Sequence, residues 1–219
     1  ASTNSPPPNS STGRERLPTT LAAVQGYVGI GTGPNVFSGN LLQNASGGTE
    51  TNPGTIPQTS TTLTLNNLPA HTSIDLTFLL AIIDTWDGFD STESFPNFPD
   101  HFNVLVDGTS VFRHSFDNTP SNGLFQDYNP PLGVQLTARP FTSLGFGPGS
   151  DSAWDIGLDP VFSNIPHTAS NLTIDIYADG AGFQGGANES WGIDNLNVVV
   201  NGVRSDRCLD FRGVSLIGE

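Results

Sequence analysis

The chain has 219 residues, enough for one sizeable apolar core without a disulfide framework, and its 25 Gly and 17 Pro beside abundant Ser, Thr and Asn favour strands and turns over helices. Its 21 acidic residues outnumber the 7 basic ones, giving a formal net charge of −14. Such a surface repels polyanions and so excludes nucleic acid and anionic membrane as natural partners, and no apolar run approaches the ~18 residues of a membrane span.

Residues 1–20 are rich in Ser, Pro and Thr, with Pro6-Pro7-Pro8 and an Arg14-Glu15-Arg16 cluster, and read as an arm outside the folded domain. The apolar stretch 21–30 suits a first strand, and residues 44–60 form a polar loop of Gly, Thr and Pro. Residues 61–67 (TTLTLNN) alternate with a period of two, which predicts a half-buried strand. The longer, more apolar SIDLTFLLAIID at 73–84 predicts a strand inside a sheet, followed by an acidic turn-rich loop at 85–99. Residues 101–107 and 110–116 flank Gly108-Thr109 and predict a hairpin. After another Asn/Pro/Gly loop at 117–132, a strand is expected at 134–138 and a Gly/Asp-rich segment at 145–160. Residues 172–178 (LTIDIYA) alternate cleanly, WGIDNLNVVV at 191–200 predicts the last core strand, and residues 212–217 suit one more. No stretch carries a 3.6-residue apolar period. The expected fold is all-β, an antiparallel two-sheet sandwich of jelly-roll-like form with long turn-rich loops. Its domain spans 21–201, between the arm at 1–20 and a C-terminal arm or edge strand at 202–219.

An internal echo runs through the chain. Leu68-Pro69-Ala70-His71-Thr72 and Ile165-Pro166-His167-Thr168-Ala169 each precede a strand that runs toward an acidic segment carrying a Trp, Asp84-Thr85-Trp86-Asp87 in one case and Glu189-Ser190-Trp191 in the other. The echo predicts two equivalent corners and two acidic loops at one end of the sandwich. His71 and His167 then suit capping hydrogen bonds, and neither His101 nor His114 is spaced as a zinc ligand.

The densest acidic cluster is Asp84, Asp87, Asp90, Glu93 and Asp100, and a second pairs Glu189 with Asp194. Carboxylates held together repel, and a hard cation such as Ca²⁺ relieves that repulsion while cross-linking loops. The candidate calcium ligands are therefore Asp84, Asp87, Asp90, Asp100, Glu189 and Asp194. Trp86 and Trp154 are candidates for a sugar-stacking platform, while Trp191, at a strand start, suits the core. Sequons at Asn9, Asn44, Asn171 and Asn188 are candidate glycosylation sites, Cys208 stands alone, and the opening Ala1-Ser2-Thr3 suits a mature secreted chain. No nucleophile elbow, zinc-binding His-Glu pair or phosphate loop is present, so no catalytic residues and no enzyme are expected.

Residues 68–88 (LPAHTSIDLTFLLAIIDTWDG), 99–116 (PDHFNVLVDGTSVFRHSF) and 165–200, with its ESWGIDN run, resemble secreted bacterial surface β-sandwich domains, including those of exosortase-sorted (PEP-CTERM-type) proteins. The resemblance covers about half the chain. It implies a jelly-roll-like fold, export to the cell surface, and a calcium ion near Asp84, Asp87 and Asp194. One departure is the ending Leu216-Ile217-Gly218-Glu219, which carries no Pro-Glu-Pro sorting signal, so anchoring by that route is not expected.

Residues 21–201 hold 17 acidic residues against Arg113 and Arg139, a net of −15, whereas the two terminal segments together sum to +1. Less acidic arms beside an acidic body suit docking between copies. The leading expectation is an extracellular, self-assembling structural subunit of a surface filament or matrix that uses its terminal arms. The alternative is a calcium-dependent carbohydrate-binding module.

Overall fold

The structure, a computed structural model, describes residues 20–23, 29–37, 40–48, 54, 58–88, 99–119, 126–139 and 141–202. The arms at 1–19 and 203–219, and with them Asn9, Cys208 and the expected strand at 212–217, lie outside the described residues, as do Asp90 and Glu93.

Among the described residues, twelve strands build an all-β sandwich. In chain order they are β1 (Thr20–Ala23), β2 (Gly31–Thr32), β3 (Asn35–Val36), β4 (Asn40–Asn44), β5 (Thr61–Asn66), β6 (Ser73–Asp84), β7 (His101–Val106), β8 (Thr109–Ser115), β9 (Ser152–Asp155), β10 (Ile165–Pro166), β11 (Asn171–Asp179) and β12 (Glu189–Asn201). One sheet runs β1-β4-β12-β6-β10, with β9 also against β6, and the other runs β5-β11-β7-β8, all in antiparallel pairs. Taking β9 and β10 as one position beside β6, the two sheets read β4-β12-β6-β9/β10 and β5-β11-β7-β8, the strand order of a jelly roll. From β4 to β7 and from β10 to β12 successive strands cross between sheets, so each crossing needs a corner, and that explains the many turn-formers.

The strand patterns follow the burial they meet. In β6 the first residues alternate, with Ile74, Leu76 and Phe78 facing the inter-sheet core, and from Phe78 to Asp84 every residue is buried. The run becomes continuous because the outer face is also covered. There Leu79, Ala81, Ile83 and Ala153 pack with Phe37 and Leu41 beneath Ile30, Leu136, Leu144 and Phe146. Ile30, Leu136, Leu144 and Phe146, with the small β2–β3 ribbon, thus form a third layer over part of the large sheet. The main core is aromatic: Trp154 meets Phe116 edge-to-face at 5.1 Å, and Trp191 meets Phe102 at 5.3 Å, geometries that favour ring pairs beyond their buried area.

Two expectations are corrected. The β7–β8 turn is Asp107-Gly108, with φ of 48° and 75°, rather than Gly108-Thr109; two positive φ values are what a two-residue hairpin turn matching strand twist demands. Residues 134–138 make only an isolated bridge, Gln135 to Trp154, because this segment serves as cover over the sheet and not as a sheet member. Of the apolar 21–30 stretch, residues 21–23 lie in β1 as expected, and residues 24–28 lie outside the described residues. Five strands had no clear signal: the two-residue β2, β3 and β10, β4 inside a polar region, and β9 inside the Gly/Asp-rich segment.

Candidate functional site

The two corners of the sequence echo meet in space. β10 pairs with the start of β6, and His167 N–H donates to Thr72 O at 3.3 Å. The imidazoles of His71 and His167 stack at 4.8 Å, with His71 Nε2 and His167 Nδ1 2.6 Å apart. His71 Nδ1 lies 2.6 Å from Pro69 O, and since a carbonyl only accepts, that nitrogen carries the proton. His167 Nε2 reaches Asp107 Oδ2 at 3.0 Å in the β7–β8 turn. The histidines therefore do act as corner locks, and they lock onto each other.

At the opposite end, the close of β6 and the start of β12 lie side by side, with Asp84 paired to Glu189. Residues 99–100 join them before β7 begins: Asp100 N–H donates to Gly88 O at 3.2 Å, and Asp87 N–H donates to Asp100 Oδ2 at 3.1 Å. Glu189 Oε2 accepts the Gln184 N–H, and the two side chains, Asp100 and Glu189, lie within hydrogen-bonding reach of each other. Both are buried, Glu189 completely, while Asp87 is exposed and accepts from Thr119 Oγ1 at 2.8 Å. Burial, reinforced for Glu189 by the charge of Asp100, pushes both carboxyl groups well above the usual carboxylate range.

The predicted ligands thus divide. Asp87, Asp100 and Glu189 come together. Asp84 is adjacent, but its carboxylate is taken by the third layer, where Gly149 N–H donates to Oδ1 at 2.6 Å. A Cβ on Gly147 would sit 2.2 Å from Asp84 Oδ2, so only glycine lets this loop close on the carboxylate. Asp194 lies further along β12, opposite Leu79, with Oδ1 accepting from Asn195 N–H at 2.7 Å. A single cation shared by Asp84, Asp87 and Asp194 does not fit this spacing.

Trp86 and Trp154 are fully buried, so neither offers a ring face to a sugar. The indole N–H of Trp86 donates to Ser190 O at 2.9 Å and that of Trp154 to Ser152 Oγ at 2.9 Å, which explains how these groups tolerate the core. Asn44 is also fully buried, its amide donating to Thr59 O at 2.8 Å and Thr61 Oγ1 at 3.0 Å, which leaves no room for a glycan. Asn171 is exposed at the start of β11, and Asn188 is half-buried with Oδ1 accepting from Thr85 Oγ1.

No family model matches the chain, and no curated protein matches it. Among solved structures, a chain of "Structure of infectious bursal disease virus Gx strain" is similar at 19% identity over 84% of this chain and 32% of that chain, with a TM-score of 0.28. This chain therefore spans about a third of that one, and a likeness at that score bears on neither fold nor function.

Proposed function

We propose that the chain is a non-enzymatic extracellular structural subunit that assembles head to tail through its terminal segments. The observation that carries this reading is where the chain enters and leaves the large sheet. Thr20 of β1 pairs with Gln43, at the Asp84–Glu189 end, whereas β12 finishes at Asn201 opposite Ser73, at the other end. By strand rise these points are about 30 Å apart. Segments leaving from opposite ends of one body reach two different neighbours, and docking of this kind that does not close into a ring propagates as a filament.

A receiving surface supports the same reading. Among the described residues β4 pairs β12 only at Trp191–Ile193, so Asn197–Asn201 of β12 is paired on the β6 side alone. That open edge accepts an added strand from a second copy. The body at −15 and terminal segments at +1 favour contact between arm and body over contact between bodies.

Light scattering and electron microscopy test the reading on the full chain, with deletions of residues 1–19 and, separately, 203–219. The full chain should form linear oligomers, and each deletion should give monomers with an unchanged far-ultraviolet circular dichroism spectrum. A full chain that stays monomeric at high concentration, or deletions that assemble as well as it does, would overturn it.

A further inference from the structure

Asp100 and Glu189 each have one oxygen satisfied by a backbone N–H, from Asp87 and Gln184 respectively. Their remaining oxygens, Asp100 Oδ1 and Glu189 Oε1, are buried and have no hydrogen-bond partner. An unpartnered buried carboxylate oxygen is among the more costly features a fold can carry. Here two occur together, on side chains within reach of each other, so that without an ion the pair must hold a proton, and the exposed Asp87 lies beside Asp100. No Arg or His among the described residues forms an ion pair with any of the three; the nearby Arg139 pairs with Asp117 at 3.3 Å.

We propose that Asp100 and Glu189 bind a calcium ion at this end of the sandwich, with Asp87 at the mouth drawing the ion in. The donor atoms are all carboxylate oxygens, with no imidazole or thiolate, which selects a hard cation. Calcium accepts irregular shells completed by main-chain carbonyls and water, whereas magnesium demands near-ideal octahedral geometry. Among the described residues no set of three or more His, Cys, Asp or Glu side chains is arranged to hold a metal. The protein therefore supplies two direct carboxylates, and carbonyls and water complete the shell. Such a sparse set places the affinity in the 10⁻⁴–10⁻³ M range of extracellular calcium modules. The ion would tie the end of β6, the entry to β7 and the start of β12, which belong to both sheets.

The test uses the full chain stripped with a chelator. Calcium at about 100 times its dissociation constant should raise Tm by roughly 5–10 °C, and magnesium should raise it less. Terbium should give luminescence sensitised by Trp86, whose indole bonds the main chain at Ser190, next to Glu189, and calcium should quench it by competition. Glu189→Gln and Asp100→Asn should each abolish both responses. If either fails to fold, Asp87→Asn, at an exposed position, should weaken terbium binding several-fold, while Asp194→Asn leaves it unchanged. No Tm rise and no terbium signal would overturn the proposal, as would a response that survives all three substitutions at the site. The assembly reading has its own readout, so failure of one leaves the other standing.

Discussion

Gln58 offers the sharpest test of how this core is held. It comes from the polar loop before β5, yet its side chain is buried and joins both sheets: Oε1 accepts from Trp191 Nε1 at 2.7 Å on β12 and from Ala178 N–H at 2.5 Å on β11. Its Nε2 donates to Ser46 O at 3.0 Å. In Gln58→Leu the volume is nearly kept, but two buried donors lose their acceptor, at about 1–3 kcal/mol each. Allowing for the apolar burial that Leu gains, the net loss is about 3 kcal/mol. For a chain of this size that lowers Tm by roughly 6–12 °C. Differential scanning calorimetry reads the shift, and Trp191→Phe supplies the cycle, since it removes one of the stranded donors. Gln58→Leu should therefore cost about 1–2 kcal/mol less when combined with Trp191→Phe than when made alone. A Tm change under ~2 °C, or strict additivity of the two substitutions, would refute the account of Gln58 as an inter-sheet acceptor.

Gly157→Ala would bring a Cβ to 2.7 Å from the Thr77 Cα and Cβ atoms, so the urea midpoint should fall by an amount equivalent to about 1–3 kcal/mol with an unchanged slope. His167→Leu removes the link from Asp107 to His71; equilibrium unfolding should show a loss of about 1–2 kcal/mol that is smaller, but not abolished, when made on top of His71→Leu, because the His167–Asp107 bond is still there to be lost. Burial raises the proton affinity of Asp84, of Asp151 and, to a pKa of about 8, of Asp100 above that of the unfolded chain. Their contribution to stability is thus full below pH ~4 and lost as pH rises through the folded-state values. In chelator, Tm should be lower at pH 8 than at pH 5, with a shallower slope in Asp151→Asn, and a Tm that climbs steadily from pH 5 to 8 would contradict this.

The long strands were legible because their side chains report burial directly. β6, β11 and β12 begin and end within two residues of where alternation and apolar runs put them. β9 escaped because Ser152–Asp155 is buried on all four residues by neighbours distant in sequence, and a short run such as SAWD carries no period of its own. The echo of Pro69–His71 with Pro166–His167 was readable as a pair of corners, but their stacking depends on β10 docking beside β6. In the acidic cluster, residue type pointed to the right end of the molecule. Which carboxylates converge was set by strand register, which puts Glu189 beside Asp84 and Asp194 a span away. Trp86 and Trp154 misled because an indole in a turn-rich loop looks exposed until the loop folds back over the core.

Among the described residues, the last strand is also the most central of its sheet. β12 slots between β4 and β6, elements made some 150 and 105 residues earlier. During synthesis both flanks of that gap therefore wait for β12 to emerge, and the β4 and β6 edges it covers stay unpaired until then. Slow, late closure is the expected kinetic signature of such long-range pairing. The net charge of −14 sets like-charged copies against one another at that stage as well as after folding.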